Sequence, residues 1–178
     1  MIIGFKGYKR SGKTTAANYL CSEHKFKMAN FKDGLIAEMI DNLPDTLNAL
    51  CLEYSLQINQ LFEKKPHIMR TLMQNYGTDL RRKENPNYWV EIWQKTVANL
   101  DGHVVVDDVR FTNEADAIRL AGGIIVHIHN TDIEPTDAHV SENEAKEIEP
   151  DFTITCANGD IECINKNIES MLEDLKAD

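Results

Sequence analysis

Residues 7–14 read Gly-Tyr-Lys-Arg-Ser-Gly-Lys-Thr, two glycines followed at once by a lysine and a threonine. The stretch before it, Met1–Phe5, is short and apolar, and the stretch after it, Thr15–Leu20, reads as the first turns of a helix. A strand, a glycine-rich loop and a helix in succession let backbone N–H groups turn inward and cradle a phosphate at the helix N-terminus. Gly7 and Gly12 permit backbone angles and a close approach that a side chain would forbid. Ser11 lies inside the loop, Lys13 is placed to reach the outer phosphates, and the Thr14 hydroxyl can ligate Mg²⁺. Few motifs constrain a fold as tightly, because the loop must link a buried strand to a packed helix.

The rest of the chain agrees with that demand. Apolar runs suited to parallel strands recur at Ile2–Phe5, Val104–Val106, Gly123–Ile128 and Phe152–Thr155, with a weaker one at Lys27–Phe31. Helical patterns lie between them, at Lys13–Ser22, Asp33–Asn42, Asp45–Lys64, Pro66–Tyr76, Pro86–Leu100, Thr112–Ala121 and Asp160–Leu175. The expected fold is α/β: a doubly wound, mainly parallel sheet of about five strands with helices on both faces. A length of 178 residues fits a single domain. The stretch from roughly 33 to 100 holds no convincing strand and reads as a helical insertion serving the site.

Charge narrows the partners. The formal net charge is −10, which argues against binding along a nucleic-acid backbone. An anionic ligand therefore needs a local positive cluster, and Lys9, Arg10 and Lys13 supply one. No apolar stretch approaches the ~20 residues that span a bilayer, and the chain opens directly on a strand with no room for a signal peptide. A cytoplasmic protein is expected. Cys21, Cys51, Cys156 and Cys163 form no C-x-x-C pair and are expected to be reduced and packed.

Ligands of open α/β sheets bind beyond the carboxyl ends of the strands. "HVVVDDVR" (103–110) buries three valines and delivers Asp107 and Asp108 to such an end, where one carboxylate can position Mg²⁺ directly or through water. Adjacent strand residues point to opposite sides, so only one of the two faces the site. Asn165-Lys166-Asn167-Ile168 fails the N-K-x-D test for guanine recognition at its last position. A kinase acting on a monophosphate needs no strong base, because its nucleophile is already anionic. It must instead bring two anions together, which takes arginines. Arg10, Arg70, Arg81, Arg82 and Arg110 are available.

Four segments, "GYKRSGKTT" (7–15), "RTLMQNYGTDLRR" (70–82) with "NYWVEIW" (87–93), "DDVRFTNEADAIRLAGG" (107–123) and "DAHVSE" (137–142), resemble the phage-type deoxynucleoside monophosphate kinases in kind and order. The resemblance implies a P-loop kinase fold with ATP and Mg²⁺ as cofactors, and γ-phosphate transfer to a deoxynucleoside monophosphate; the cytoplasm expected is that of a host if the chain is phage-encoded. It implies that Arg10, Gly12, Lys13, Thr14 and Thr15 hold ATP. Lys9, Arg70, Gly77, Thr78, Trp89, Asp108, Arg110 and Glu114 would line the monophosphate site, with Arg70 on the acceptor phosphate and Trp89 against the nucleoside. Lys13, Arg10, Arg70 and Arg110 are then the catalytic cations, and Thr14 with Asp108 the metal side.

Two other readings stay open: a P-loop kinase of another small metabolite, such as dephospho-coenzyme A, and a nucleotide-binding regulatory module. Trp93, one turn from Trp89, reads as core. His127 and His129 share a strand face without a third metal ligand. The polar stretch 130–142 suits a lid over the phosphates. Preferred base, sugar selectivity and oligomeric state, a homodimer included, are not encoded in any of these patterns.

Overall fold

Five parallel strands in the order β2-β3-β1-β4-β5 carry the site, with β1 (Ile2–Lys6) in the middle. The computed structural model describes residues 1–133, 145 and 147–177. β1 pairs with β3 (Val104–Val106) on one side and β4 (Ile124–Asn130) on the other; β2 (Lys27–Met28) and β5 (Phe152–Cys156) form the edges. The connection leaving β1 runs to β2 on one side of it, while the connection leaving β3 crosses to β4 on the other. That divergence makes the carboxyl end of β1 the switch point at which a ligand crevice opens. Residues 7–14 sit at that point.

Both sheet faces are dry. Ile3 and Phe5 of β1, Val105, Val126 and Ile154 pack against Ala16, Ala17 and Leu20 of α1 (Lys13–His24) and against Ile164, Ile168, Met171 and Leu172 of the C-terminal helix, Ile161–Ala177. Each large side chain buried this way contributes about 1.5–3 kcal/mol. On the opposite face a Cβ on Gly4 would lie 2.6 Å from Ile118 Cδ1 of the helix Thr112–Leu120 and 3.0 Å from Val109 Cγ2, so any larger residue would have to push these side chains aside for that layer to close on β1. The strand pattern read from the sequence is therefore present, with each run shifted by two residues or fewer apart from the weak one, which shortens to Lys27–Met28.

The chain resolves into two compact units, Met1–Asn30 with Gln94–Asp178, and Phe31–Trp93. The second is helical: α2 (Phe31–Asn42), α3 (Pro44–Tyr54), α4 (Ile58–Lys64), α5 (His67–Gln74), a π-helix over Asn75–Arg82, and the start of α6 (Tyr88–Val97). In chain order Thr112–Leu120 is then α7 and Ile161–Ala177 is α8. The helical unit has its own core of Met39, Leu47, Leu50, Leu61, Phe62 and Met69.

Two expectations for this unit need correction. Asp45–Lys64 is not one helix: Ser55 adopts the left-handed conformation (φ 53°), closes α3 onto the Cys51 and Leu52 carbonyls, and turns the chain into α4. A straight helix would have spread Leu47 and Phe62 over about 22 Å, beyond the reach of one small core. The helix expected to end at Tyr76 instead runs on through Arg82 by widening into π geometry.

The cysteine reading is also corrected. Cys156 at the end of β5 and Cys163 in the first turn of α8 form a disulfide, their Cα atoms 6.0 Å apart, while Cys21 and Cys51 are free. Seven residues separate the pair in sequence, too far for any short cysteine motif. The tight β5–α8 turn brings them together.

Candidate active site

The glycine loop has the conformation its sequence requires. Gly7 (φ 142°) and Gly12 (φ 107°) occupy positive φ, and a Cβ on Gly7 would stand 2.4 Å from the Ile128 carbonyl oxygen. Arg10 is also left-handed (φ 66°), with its side chain exposed beside exposed Lys9. The Lys13 ammonium folds back over the loop and donates to the carbonyls of Gly7 (2.7 Å) and Tyr8 (2.6 Å). Gly12 stands at the N-cap of α1 and itself offers no side-chain acceptor to the first-turn N–H groups of that twelve-residue helix. Such donors, with the positive end of the helix dipole behind them, suit a phosphate. Among the described residues buried Ser11 Oγ has no hydrogen-bond partner. An unpaired buried hydroxyl is unusual enough to need a reason, and a loop shaped for an anion supplies one.

At the end of β3 the Thr14 hydroxyl donates to Asp107 Oδ2 at 2.6 Å. The carboxylate that meets Thr14 is thus that of Asp107, 4% exposed, and not that of Asp108, which is half-buried one residue further on. Both lie just past β3, where the path of the chain turns the Asp107 side chain toward Thr14. The Asp107 backbone N–H donates to Asn30 Oδ1 at 2.8 Å, a buried contact that fixes the end of the strand. A hydroxyl and a carboxylate in contact beside a phosphate loop are hard oxygen donors of the kind Mg²⁺ takes.

Arg110 is exposed just after β3. Glu114, buried, accepts from the backbone N–H groups of Arg110 (2.8 Å) and Phe111 (3.1 Å). Its carboxylate thereby caps α7 and stiffens the Asp108–Phe111 turn, the glutamate half of a capping box whose N-cap, Phe111, lacks the hydroxyl that would have marked it in the sequence. Thr15 is half-buried in the first turn of α1.

His127 and His129 stack with ring centroids 5.8 Å apart on β4. Among the described residues no group of three His, Cys, Asp or Glu side chains could hold a metal. Burial, with Lys6, His129 and Lys13 adding positive charge, lowers the His127 pKa to about 4.

In the helical unit Arg70 is exposed, and its Nε donates to the Lys65 carbonyl at 3.0 Å. Gly77 and Thr78 lie in the π-helix. Trp89 and Trp93 are both buried, at 3% and 2% exposure. Trp93 stacks on Phe31 (centroids 4.9 Å), and Trp89 donates from its indole N–H to the Gly77 carbonyl at 3.0 Å. Arg81, counted in the sequence among the arginines open to an anion, is committed to Glu38. No sequence signal joins residues 43 positions apart. Of the stretch 130–142, residues 134–142 lie outside the described residues, as does "DAHVSE".

A phosphate loop at the switch point of a 2-3-1-4-5 sheet, with its threonine bonded to a strand-end aspartate, puts this chain among the P-loop kinases. It aligns over 98% of its length, and 97% of the other chain, with the structure of TT1252 from Thermus thermophilus (TM-score 0.55, 16% identity), a likeness of fold alone. Residues 45–168 match the deoxynucleotide monophosphate kinase family. A protein of Acanthamoeba polyphaga mimivirus, named by inference a deoxynucleotide monophosphate kinase, is 31% identical over 95% of this chain and 91% of its own length. The deoxynucleotide monophosphate kinase of Escherichia phage RB69 is 30% identical over 58% of this chain and 44% of its own. The chain belongs to the deoxynucleotide monophosphate kinase family, and it is a nucleotide kinase that phosphorylates deoxynucleoside monophosphates. Among the described residues no helix is long and apolar enough to cross a membrane.

Proposed function

We propose that this kinase transfers the γ-phosphate of Mg²⁺-ATP to a deoxynucleoside 5′-monophosphate, with the Gly7–Thr15 loop as the ATP site. The contact between Thr14 and Asp107, beside Lys13, carries this reading most directly. When bound, Mg²⁺ would offset the charge of the phosphate oxygens. Thr14 and Asp107 would hold it, directly or through water, and this assignment replaces Asp108 on the metal side.

Lys13 is held by two carbonyl contacts that a phosphate oxygen can displace, so its ammonium follows the transferring group at little reorganisation cost. The loop N–H groups and the uncapped start of α1 orient the triphosphate. Arg10 extends the positive charge along the loop, and Lys9 and Arg110 are assigned to the acceptor anion in the sheet unit. There the Glu114 cap holds the turn that carries Asp108 and Arg110. In the helical unit Arg70 is assigned to the acceptor phosphate and Gly77 with Thr78 to its close approach. Trp89, committed to the Gly77 carbonyl, would serve the nucleoside largely through that backbone.

The test is ADP release from ATP with each of the eight common ribo- and deoxyribonucleoside monophosphates, with and without Mg²⁺. Metal-dependent release with deoxynucleotide acceptors is expected. Equal release in the presence and absence of an acceptor would overturn the reading.

A further inference from the structure

One cluster in the helical unit is used by none of the roles above. Glu38, in the middle of α2, is 14% exposed and accepts four contacts. Its Oε1 receives the Tyr76 hydroxyl at 2.9 Å and Arg81 Nε at 2.6 Å, with a second Arg81 nitrogen also in contact; its Oε2 receives the Tyr88 hydroxyl at 2.7 Å. The Arg81 guanidinium lies 5.5 Å from the centroid of the Tyr76 ring and 5.3 Å from that of Tyr88, so two aromatic faces sandwich the cation. Asn42 adds a donor to the Tyr76 hydroxyl at 3.1 Å. Burial alone would raise the Glu38 pKa, but the Tyr88, Tyr76 and Arg81 contacts outweigh it and lower it, so the carboxylate stays charged.

The arrangement has a geometric consequence. Tyr76 and Arg81 are five residues apart. In an α-helix they would point about 140° away from each other, too far to share one carboxylate. The i→i+5 pattern of a π-helix brings such a pair onto one face. The segment Asn75–Arg82 is π-helical over its whole length, and Gly77 and Thr78 lie inside the span that the pair defines. Leu35, three residues before Glu38 on α2, seats on Gly77: a Cβ there would come within 3.2 Å of Leu35 Cδ2. Trp89, next to Tyr88 in α6, takes the Gly77 carbonyl. One face of α2 and one turn of α6 thus grip the π-helix at both ends and in its middle.

We propose that Glu38 is a positioning residue for the acceptor. By tying Arg81, Tyr76 and Tyr88 together it selects the π-helical register that presents Gly77 and Thr78. Without it the segment relaxes toward ordinary α-helical winding, rotating Gly77, and Thr78 with it, away from the Leu35 and Trp89 contacts of Gly77. The proposal rests on the acceptor role assigned to Gly77 and Thr78, and its test separates the two.

Three proteins are compared, all in a Trp93→Phe background so that Trp89 is the only reporter: the background itself, Glu38→Gln, and Tyr88→Phe as a milder cut that keeps the carboxylate. In the background, Trp89 emission is recorded without any nucleotide, and KM is measured for ATP and for the best deoxynucleoside monophosphate. Glu38→Gln is expected to red-shift Trp89 emission and to raise the acceptor KM about tenfold, the size of one lost charge-assisted contact. The ATP KM should stay within about twofold, as it would not if the whole fold loosened. Tyr88→Phe should move both readouts the same way by less. Unchanged emission, or an acceptor KM within about twofold of the background in both variants, overturns the proposal. If the background protein uses no deoxynucleoside monophosphate, the functional reading fails, and the acceptor role of Glu38 with it. An emission shift in Glu38→Gln would even then establish the grip on the π-helix.

Discussion

Thr14 Oγ1 and Asp107 Oδ2 lie 2.6 Å apart, the one at the first turn of α1 and the other at the end of β3. The two residues are 93 positions apart in the chain, and the parallel pairing of β1 with β3 is what joins them. Asp107→Asn is therefore expected to raise the Mg²⁺ concentration needed for half-maximal turnover by tenfold or more, at the scale of one lost charged contact. Asp108→Asn should leave the Mg²⁺ requirement near that of the parent. Magnesium titrations of the two variants decide the assignment; the reverse ranking would return the metal role to Asp108.

Lys13→Ala should abolish transfer while the protein stays folded. Losing one preorganised charge on a developing anion costs on the order of 10²–10³-fold in rate. The Lys13 side chain is only half-buried, and its removal opens no large cavity. Turnover and circular dichroism measured on the same preparation check this. A folded variant within about threefold of parent activity would remove Lys13 from the chemistry.

Arg70→Ala should raise the acceptor KM far more than the ATP KM. A charge-assisted phosphate contact in a partly dry site contributes roughly 1.5–3 kcal/mol, or about tenfold to a hundredfold. Because the Arg70 side chain is exposed and its Nε donates to the Lys65 carbonyl, a contact water can replace, thermal stability should hardly change. Parallel shifts in both KM values would place Arg70 outside acceptor binding.

Reduction of Cys156–Cys163, or Cys163→Ser, should lower the melting temperature. Closing a loop of this length restricts the unfolded chain by about 2 kcal/mol in the chain-entropy account. Thermal melts with and without dithiothreitol check it, with Cys163→Ser as the control that dithiothreitol should not move further.

His127 sets an acid limit. Its folded pKa, about 4, lies below the ordinary value of 6.5, with burial the main cause, so the native state holds the neutral ring. The unfolded chain binds the proton more readily, and stability falls as pH drops from about 6.5 toward 4. His127→Gln should flatten the melting temperature over that window. An unchanged slope would show that other groups govern acid unfolding.

Much of this protein was legible in one dimension. The glycine loop announced its strand and its helix because the requirement is local: two positive-φ glycines, a lysine and a threonine over eight residues. The parallel sheet was legible because strands buried on both faces read as continuous apolar runs, as Val104–Val106 does. The helical unit was legible as a long stretch with no such run.

What tertiary structure decided were pairings between distant residues, where no local preference acts. Asp107 and Asp108 are chemically equivalent in sequence, and only the path of the chain as it leaves β3 turned the first toward Thr14. Cys156 and Cys163 met because the turn from β5 into α8 is tight. Trp89 and Trp93 lie one turn apart on one helix face, and burial takes in both; only tertiary structure showed that the Gly77 carbonyl takes the Trp89 indole N–H. The widening of Asn75–Arg82 into a π-helix has no signature in its own residues. It depends on Glu38, a carboxylate on another helix, because only from outside the segment can one acceptor draw Tyr76 and Arg81 to the same side.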